Sequence, residues 1–164
     1  MEKSKFWTNL ISGRFASMVK ESSKGKSLSS SLDVFNVMKP MFAQIDDVER
    51  MYCIFLDAKN RVIGIEKVSE GTINHAAVYP REIVKRLIAN KATAAVLVHN
   101  HPSGDPEPSP EDRHLTVRII MALFSIEAHL HDHVIVGDTH YSMADAGFVK
   151  SISDRVNNIS IGYF

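Results

Sequence analysis

Apolar residues recur at two periods along this chain, and the alternation between them marks its elements. Trp7, Ile11, Phe15 and Val19 fall four apart, which predicts a helix from about Phe6 to Val19 with Gly13 as its weak point. Glu21 to Ser30 is rich in Ser, Lys and Gly without a period, and it reads as a flexible linker. Ser30-Ser31-Leu32-Asp33 can start a helix that buries Val34, Val37, Met38 and Phe42, with Pro40 kinking or dividing it. Met51 to Leu56 and Arg61 to Val68 read as two strands around an Asp57-Ala58-Lys59-Asn60 turn, and Gly71-Thr72 marks a break after them. Pro80 opens a helix with Glu82 in its first turn and Lys85, Arg86 and Lys91 towards its end, matching the helix dipole. Its inward residues are Ile83, Val84, Leu87 and Ile88, and Asn90 is its stop.

Ala94 to Val98 is an apolar run of strand length, and Leu115, Ile119, Ala122 and Leu123 return at helical spacing after a proline- and glycine-rich loop. Ile126 to Leu130 and His133 to Val136 read as two more strands. Gly137-Asp138-Thr139 turns the chain into His140 to Met143, Ala144 to Ile152 reads as a short helix, and Asn157 to Phe164 as irregular. This order of elements predicts an α/β fold, a mixed central sheet flanked by helices, with any site at a strand's carboxyl end. The domain proper is expected over 31–150, after an amphipathic helix and linker over 1–30 and before a tail over 151–164.

Composition narrows the class. At 164 residues the chain is expected to form one domain, and 45% hydrophobic with 23% charged residues is the mix of an ordinary globular protein. Nineteen basic residues balance nineteen acidic ones, which argues against binding driven by bulk charge to nucleic acid or acidic membranes. Cys53 stands alone, so no intrachain disulfide can form, and it lies in an apolar run as a small core residue would. With no run of membrane-spanning length and no signal-peptide pattern, the expected location is the cytoplasm.

Candidate chemistry concentrates between His99 and Asp112. If the strand continues through His101, residues two apart project to one face, and His99 and His101 converge. Asp112 adds a carboxylate from the first turn of the next helix. Two nitrogens and one oxygen with a fourth position left for water make the open arrangement of a catalytic zinc site, where the water's pKa falls to about 7. A plainer reading also fits: Ser109 as N-cap, Pro110 at the first helical position and Asp112 at the third are a good helix start without any metal. Asp112 can serve both.

The run His99 to Asp112, His-x-His-Pro followed after six residues by Ser-x-x-Asp, resembles the JAMM (MPN+) motif of zinc metallopeptidases and deubiquitinases. His-Asn-His-Pro-Ser-Gly-Asp-Pro is similar to the RadC-like branch of that superfamily. Phe55-Leu56-Asp57, Gly71-Thr72, Pro80-Arg81-Glu82-Ile83 and Asp132-His133-Val134-Ile135-Val136-Gly137 resemble RadC signatures in the same order, over roughly Ser31 to Phe148. The resemblance implies a JAB/MPN fold of cytidine-deaminase-like architecture. It also implies Zn2+ held by His99, His101 and Asp112, and hydrolysis of a peptide or isopeptide bond in an unknown protein substrate. Ser109 would assist at the oxyanion, and an upstream glutamate would act as general base. Glu49 matches that glutamate best, with Glu66 and Glu70 as competitors.

Other readings remain beside this one. The superfamily includes scaffolds that keep the fold without activity. RadC-like proteins carry a DNA-repair name, though the chain has no room before Ser31 for the helix-hairpin-helix domain many of them have. The Trp7, Ile11 and Phe15 stripe needs a covering surface, either its own domain or a second copy in a homodimer. His131 and His133 form a second His-x-His pair, for which the resemblance implies a supporting role near the cleft. His75, His114, His129 and His140 show no partner pattern, and Ser103 and Asp105 read as turn formers.

Overall fold

Strand and helix periods sort the chain onto two faces of one sheet. The structure, a computed structural model, describes residues 14–43, 47–72 and 78–161. Its elements are α1 (Arg14–Ser23), α2 (Ser31–Met38) with a 3-10 turn over Lys39–Phe42, β1 (Val48–Leu56), β2 (Val62–Thr72) and α3 (Pro80–Ala89). There follow β3 (Ala94–Asn100), α4 (Pro110–Phe124), β4 (His129–Val136), β5 (His140–Ser142) and α5 (Phe148–Ile161). The strands lie in the order β2-β1-β3-β4-β5, with β3 and β4 parallel and the other neighbours antiparallel. This is the mixed, helix-flanked α/β sheet that the pattern predicts.

Alternation divides the core. Met51, Cys53 and Phe55 of β1 and Ala95 and Leu97 of β3 face α3, α4 and α5. Tyr52, Ile54, Leu56, Val96 and Val98 face α2 and its 3-10 turn on the other side. Every residue of β3 is buried, as expected for a central strand covered on both faces. Burial pushes the Cys53 thiol far above its ordinary range, in keeping with an inert core residue.

The structure departs from the sequence reading at several boundaries. The first helix runs to Ser23, past Val19, and its expected first part over Phe6 to Gly13 lies outside the described residues. The serine- and lysine-rich stretch is tied down rather than linker-like: Gly25 N–H donates to Val62 O at 2.8 Å, and Val62 N–H donates to Lys26 O at 2.9 Å. Val37 and Phe42 are half-buried, and Pro40 does divide its helix, turning α2 into the 3-10 turn. Gly71 and Thr72 end β2 instead of breaking the chain after Val68, because β1 extends back to Val48 and keeps them paired. Ile88 is exposed, lying about 140° round the helix from the buried Ile83. The tail is one helix to Ile161, since Phe148, Ile152 and Val156 continue a single stripe onto the core.

The expected pair of strands after α4 is a single strand with an irregularity. Ala95 pairs with Leu130 and Val96 with Asp132, so His131 is an extra residue in β4. That insertion shifts the alternation by one: Leu130 faces the α4 side before it, Ile135 after it. The break in the apolar pattern is therefore a bulge, not a strand end.

Leu97 is fully buried in the middle of β3. We expect Leu97→Ala to cost about 3 kcal/mol, within the range of about 2–5 typical of such truncations, in urea unfolding followed by circular dichroism.

Candidate metal centre

The end of β3 carries the first ligand. His99 pairs with Met51 of β1 and with Ile135 of β4, and its ring is buried on the α4 side of the sheet. The ladder continues one residue beyond the strand, because His101 N–H donates to Val136 O at 2.9 Å. Alternation thus holds across Asn100, and the His101 ring returns to the face of His99. The loop then folds back: Gly104 N–H donates to His101 O at 3.0 Å, and Asp138 N–H donates to Gly104 O at 2.8 Å. A β-carbon at Gly137 would collide with the Gly104 carbonyl, so glycine is required where this loop crosses the β4–β5 turn. Ser103 and Asp105 make local turn bonds, as their composition suggests.

The third group arrives on α4. Ser109 caps the helix, with its Oγ accepting from Asp112 N–H at 3.1 Å, and Asp112 Oδ2 accepting from Ser109 N–H at 2.8 Å and Oγ–H at 2.7 Å. The same carboxylate meets both histidines: Oδ1 lies 3.2 Å from His99 Nε2 and Oδ2 3.4 Å from His101 Nε2. The two Nε2 atoms are 3.0 Å apart. Four ligands at tetrahedral zinc or a similar ion lie about 3.3 Å from one another, so these spacings suit one small cation. Among the described residues, this is the group of three that could hold a metal ion. Asp112 therefore caps the helix and, in the same position, belongs to the group that could hold a metal ion.

Electrostatics agrees with the geometry. Burial pushes the Asp112 carboxyl up, but the close imidazoles of His101 and His99 and the Ser109 hydroxyl outweigh it and hold the group well below the carboxylate range. The hydrogen bond to Asp112 holds His101 above its ordinary value, against burial, and the Asp105 carbonyl at 2.9 Å from Nδ1 adds to it. With Nδ1–H given to that carbonyl, Nε2 of the neutral ring is left for a metal.

The three glutamates separate cleanly. Glu49 lies two residues before Met51 on the same face of β1, beside the ligands, and lines a cleft of about 1190 Å³ with Ser109 and the His-His-Asp group. Glu70 pairs with Arg50, one residue off in alternation, and its carboxylate goes to Lys67 and Arg50. Glu66 pairs with Cys53 and is held by Arg86 at 3.1 Å and Asn90 at 2.8 Å. Neither lines the cleft.

Two residues here were not singled out in the sequence. Asn100, between the histidines, turns to the β1 backbone: its Oδ1 accepts from Arg50 N–H at 2.7 Å and its Nδ2 donates to Val48 O at 3.1 Å. It thus grips both peptide groups flanking Glu49. Thr116 is buried under the site and bonds to His133, whose Nε2 is 2.8 Å from His99 Nδ1. The second His-x-His pair does not converge on a site, for His131 bonds outward to Asn60 at 2.8 Å.

A mixed sheet with a His-x-His pair closing one strand and an aspartate in the first turn of the next helix is the arrangement of a JAB-type domain with a group that could hold a metal ion. Residues 28–148 match the family described as RadC-like JAB domain, and the chain belongs to that family. It is similar to proteins named UPF0758. That of Ectopseudomonas mendocina is 52% identical over 98 residues, covering 59% of this chain and 44% of the relative. That of Thiobacillus denitrificans is 44% identical over 124 residues, 75% and 55% of the two chains, and that of Symbiobacterium thermophilum 45% over 109, 66% and 46%. The chain thus spans about half the length of the curated relatives it matches. No helix among its described residues is long and apolar enough to cross a membrane.

We expect purified protein to take up about one divalent ion per chain, and His101→Ala to lose it, read by elemental analysis. In the metal-free chain His101 should titrate above 6.5, its ordinary value, in NMR, and Asp112→Asn should bring it down. The raised folded value sets the sign. Stability from this contact is fully present below about 6.5 and is lost as pH rises through the folded value.

Proposed function

We propose that this domain is a zinc-dependent hydrolase that cleaves a peptide or isopeptide bond. The observation that carries the reading is the placement of Glu49 and Ser109 in the same cleft as the convergent His99, His101 and Asp112. Two neutral imidazoles and one carboxylate are a donor set that suits zinc and leaves a coordination position open. Zinc bound there supplies Lewis acidity and a water acidified to a pKa of about 7.

The chain's own groups do the rest. Glu49 takes the proton from the attacking water and delivers it to the leaving amine, as a carboxylate on the cleft wall can. Asn100 holds the backbone on both sides of Glu49, so the carboxylate keeps its place relative to the histidines. Ser109 gives its hydroxyl proton to Asp112 in the resting site and turns it to the substrate carbonyl oxygen as negative charge develops there. Met51 and Leu115 give the cleft apolar lining beside these groups.

The test is a zinc-loaded preparation incubated with a mixture of unfolded proteins and branched isopeptide-linked peptides, with products read by mass spectrometry. Wild type should cleave, a chelator should stop it, and Glu49→Gln should keep its zinc while losing at least about 100-fold in rate. Full turnover by Glu49→Gln, or no cleavage by zinc-loaded wild type, would overturn the reading.

A further inference from the structure

His133, Thr116 and the Asp112 backbone form a polar chain beneath the metal centre. Thr116 Oγ1 lies 2.7 Å from Asp112 O, His133 Nδ1 lies 2.7 Å from Thr116 Oγ1, and His133 Nε2 lies 2.8 Å from His99 Nδ1. All three side chains are buried, and both Thr116 and His133 are 0% exposed. The chain starts at one ligand and ends on the main chain of another.

Each of these three contacts needs one proton, and with a neutral His133 only one arrangement supplies all three; His99 Nε2 then faces Asp112 Oδ1 at 3.2 Å as a lone pair, a contact that a cation between them would satisfy. A carbonyl oxygen cannot donate, so the Thr116 hydroxyl proton lies between Oγ1 and Asp112 O, the usual back-bond of a helical threonine. Without it two oxygen lone pairs would face each other at 2.7 Å. Thr116 then has no proton left for His133, whose Nδ1 must donate. The His133 ring nitrogens meet Thr116 and His99 and no carboxylate hydrogen-bonds to either, so burial outweighs the charge of the more distant Asp112 and the ring is neutral. Its Nε2 is therefore a lone pair, and the proton of the last contact comes from His99 Nδ1.

We propose that Thr116 and His133 are positioning residues that fix His99 in its Nδ1–H tautomer and leave its Nε2 lone pair aimed at the metal position. This rests on the metal-binding reading of the site, not on hydrolysis. The bulge at His131 belongs to the device, since in regular pairing, with His131 opposite Val96, Asp132 rather than His133 would sit on the face of His99. Reversing the chain would put a proton on His99 Nε2, where a cation has to bind.

The test uses the full chain. Long-range 15N–1H NMR on metal-free protein at about pH 8 reads the tautomer of each imidazole directly. Wild type should show His99 as Nδ1–H. Thr116→Val is close to isosteric and cannot accept from His133, so both His133 and His99 should switch to Nε2–H, with zinc affinity about 10–100-fold weaker in chelator competition. Thr116→Ser should restore both readings. His133→Gln, whose side-chain oxygen can accept from His99, should hold affinity better than His133→Leu. His99 found as Nε2–H in wild type, or Thr116→Val with unchanged tautomers and zinc affinity, would overturn the proposal. Wild type with the Nδ1–H tautomer but no uptake of zinc alone would sink its metal purpose and the hydrolase reading together. Correct tautomers and zinc with no cleavage would sink only the hydrolase.

Discussion

Asp112 carries the constraint on which the rest of the site depends. Its carboxylate closes the N-terminus of α4 through Ser109 and at the same time faces His99 and His101. A helix N-terminus favours negative charge, so the cap keeps the group ionised even though it is largely withdrawn from water. Three positively polarised neighbours, the helix end and two imidazoles, then share one carboxylate. Such a group gains by admitting a cation only if the histidines present lone pairs, and the loop and strand contacts arrange that: the Asp105 carbonyl holds Nδ1 of His101. The helix cap and the candidate metal ligand are one carboxylate, so the two readings posed by the sequence are compatible.

Much of this was legible in the residues. The central strand Ala94 to Val98 could be read because it is buried on both faces and so forms an unbroken apolar run. The convergence of His99, His101 and Asp112 could be read because strand alternation and a helix start are both local rules. Glu49 was harder. Its separation from Glu70 depends on which face of β1 each meets, and that follows from pairing with β2 and not from spacing along the chain. Once the register is known, Glu70 falls opposite Arg50 and Glu66 opposite Cys53, and only Glu49 remains beside the ligands.

What escaped the sequence was what pairing and bulges decide. A single extra residue in β4 looked like a gap between two strands, because the apolar alternation fails at His131 and Asp132. The C-terminal helix was cut short for the opposite reason: its stripe of Phe148, Ile152 and Val156 is diluted by polar residues and shows its continuity only against a core to pack on. The Gly137 and Gly104 positions were visible as signatures without a mechanism. Their reason is the close crossing of two backbones, a long-range contact that no local pattern encodes.

The end of β3 puts both of its faces to use. His99 and His101 turn to the cleft, while Asn100 between them turns away and takes over the β1 ladder where regular β1–β3 pairing stops at Met51 and His99. One short segment thereby sets the two histidines and, through two hydrogen bonds, the strand that carries Glu49. An apolar residue in place of Asn100 would leave the Arg50 N–H without this acceptor and the Val48 carbonyl without this donor, at about 1–3 kcal/mol for each buried group left unpaired. The position between the two histidines reads as mere spacing in the motif. In the fold it is the point at which the His-His-Asp group and the strand carrying Glu49 are tied to each other, which is the rigidity that the proposed hydrolysis would require.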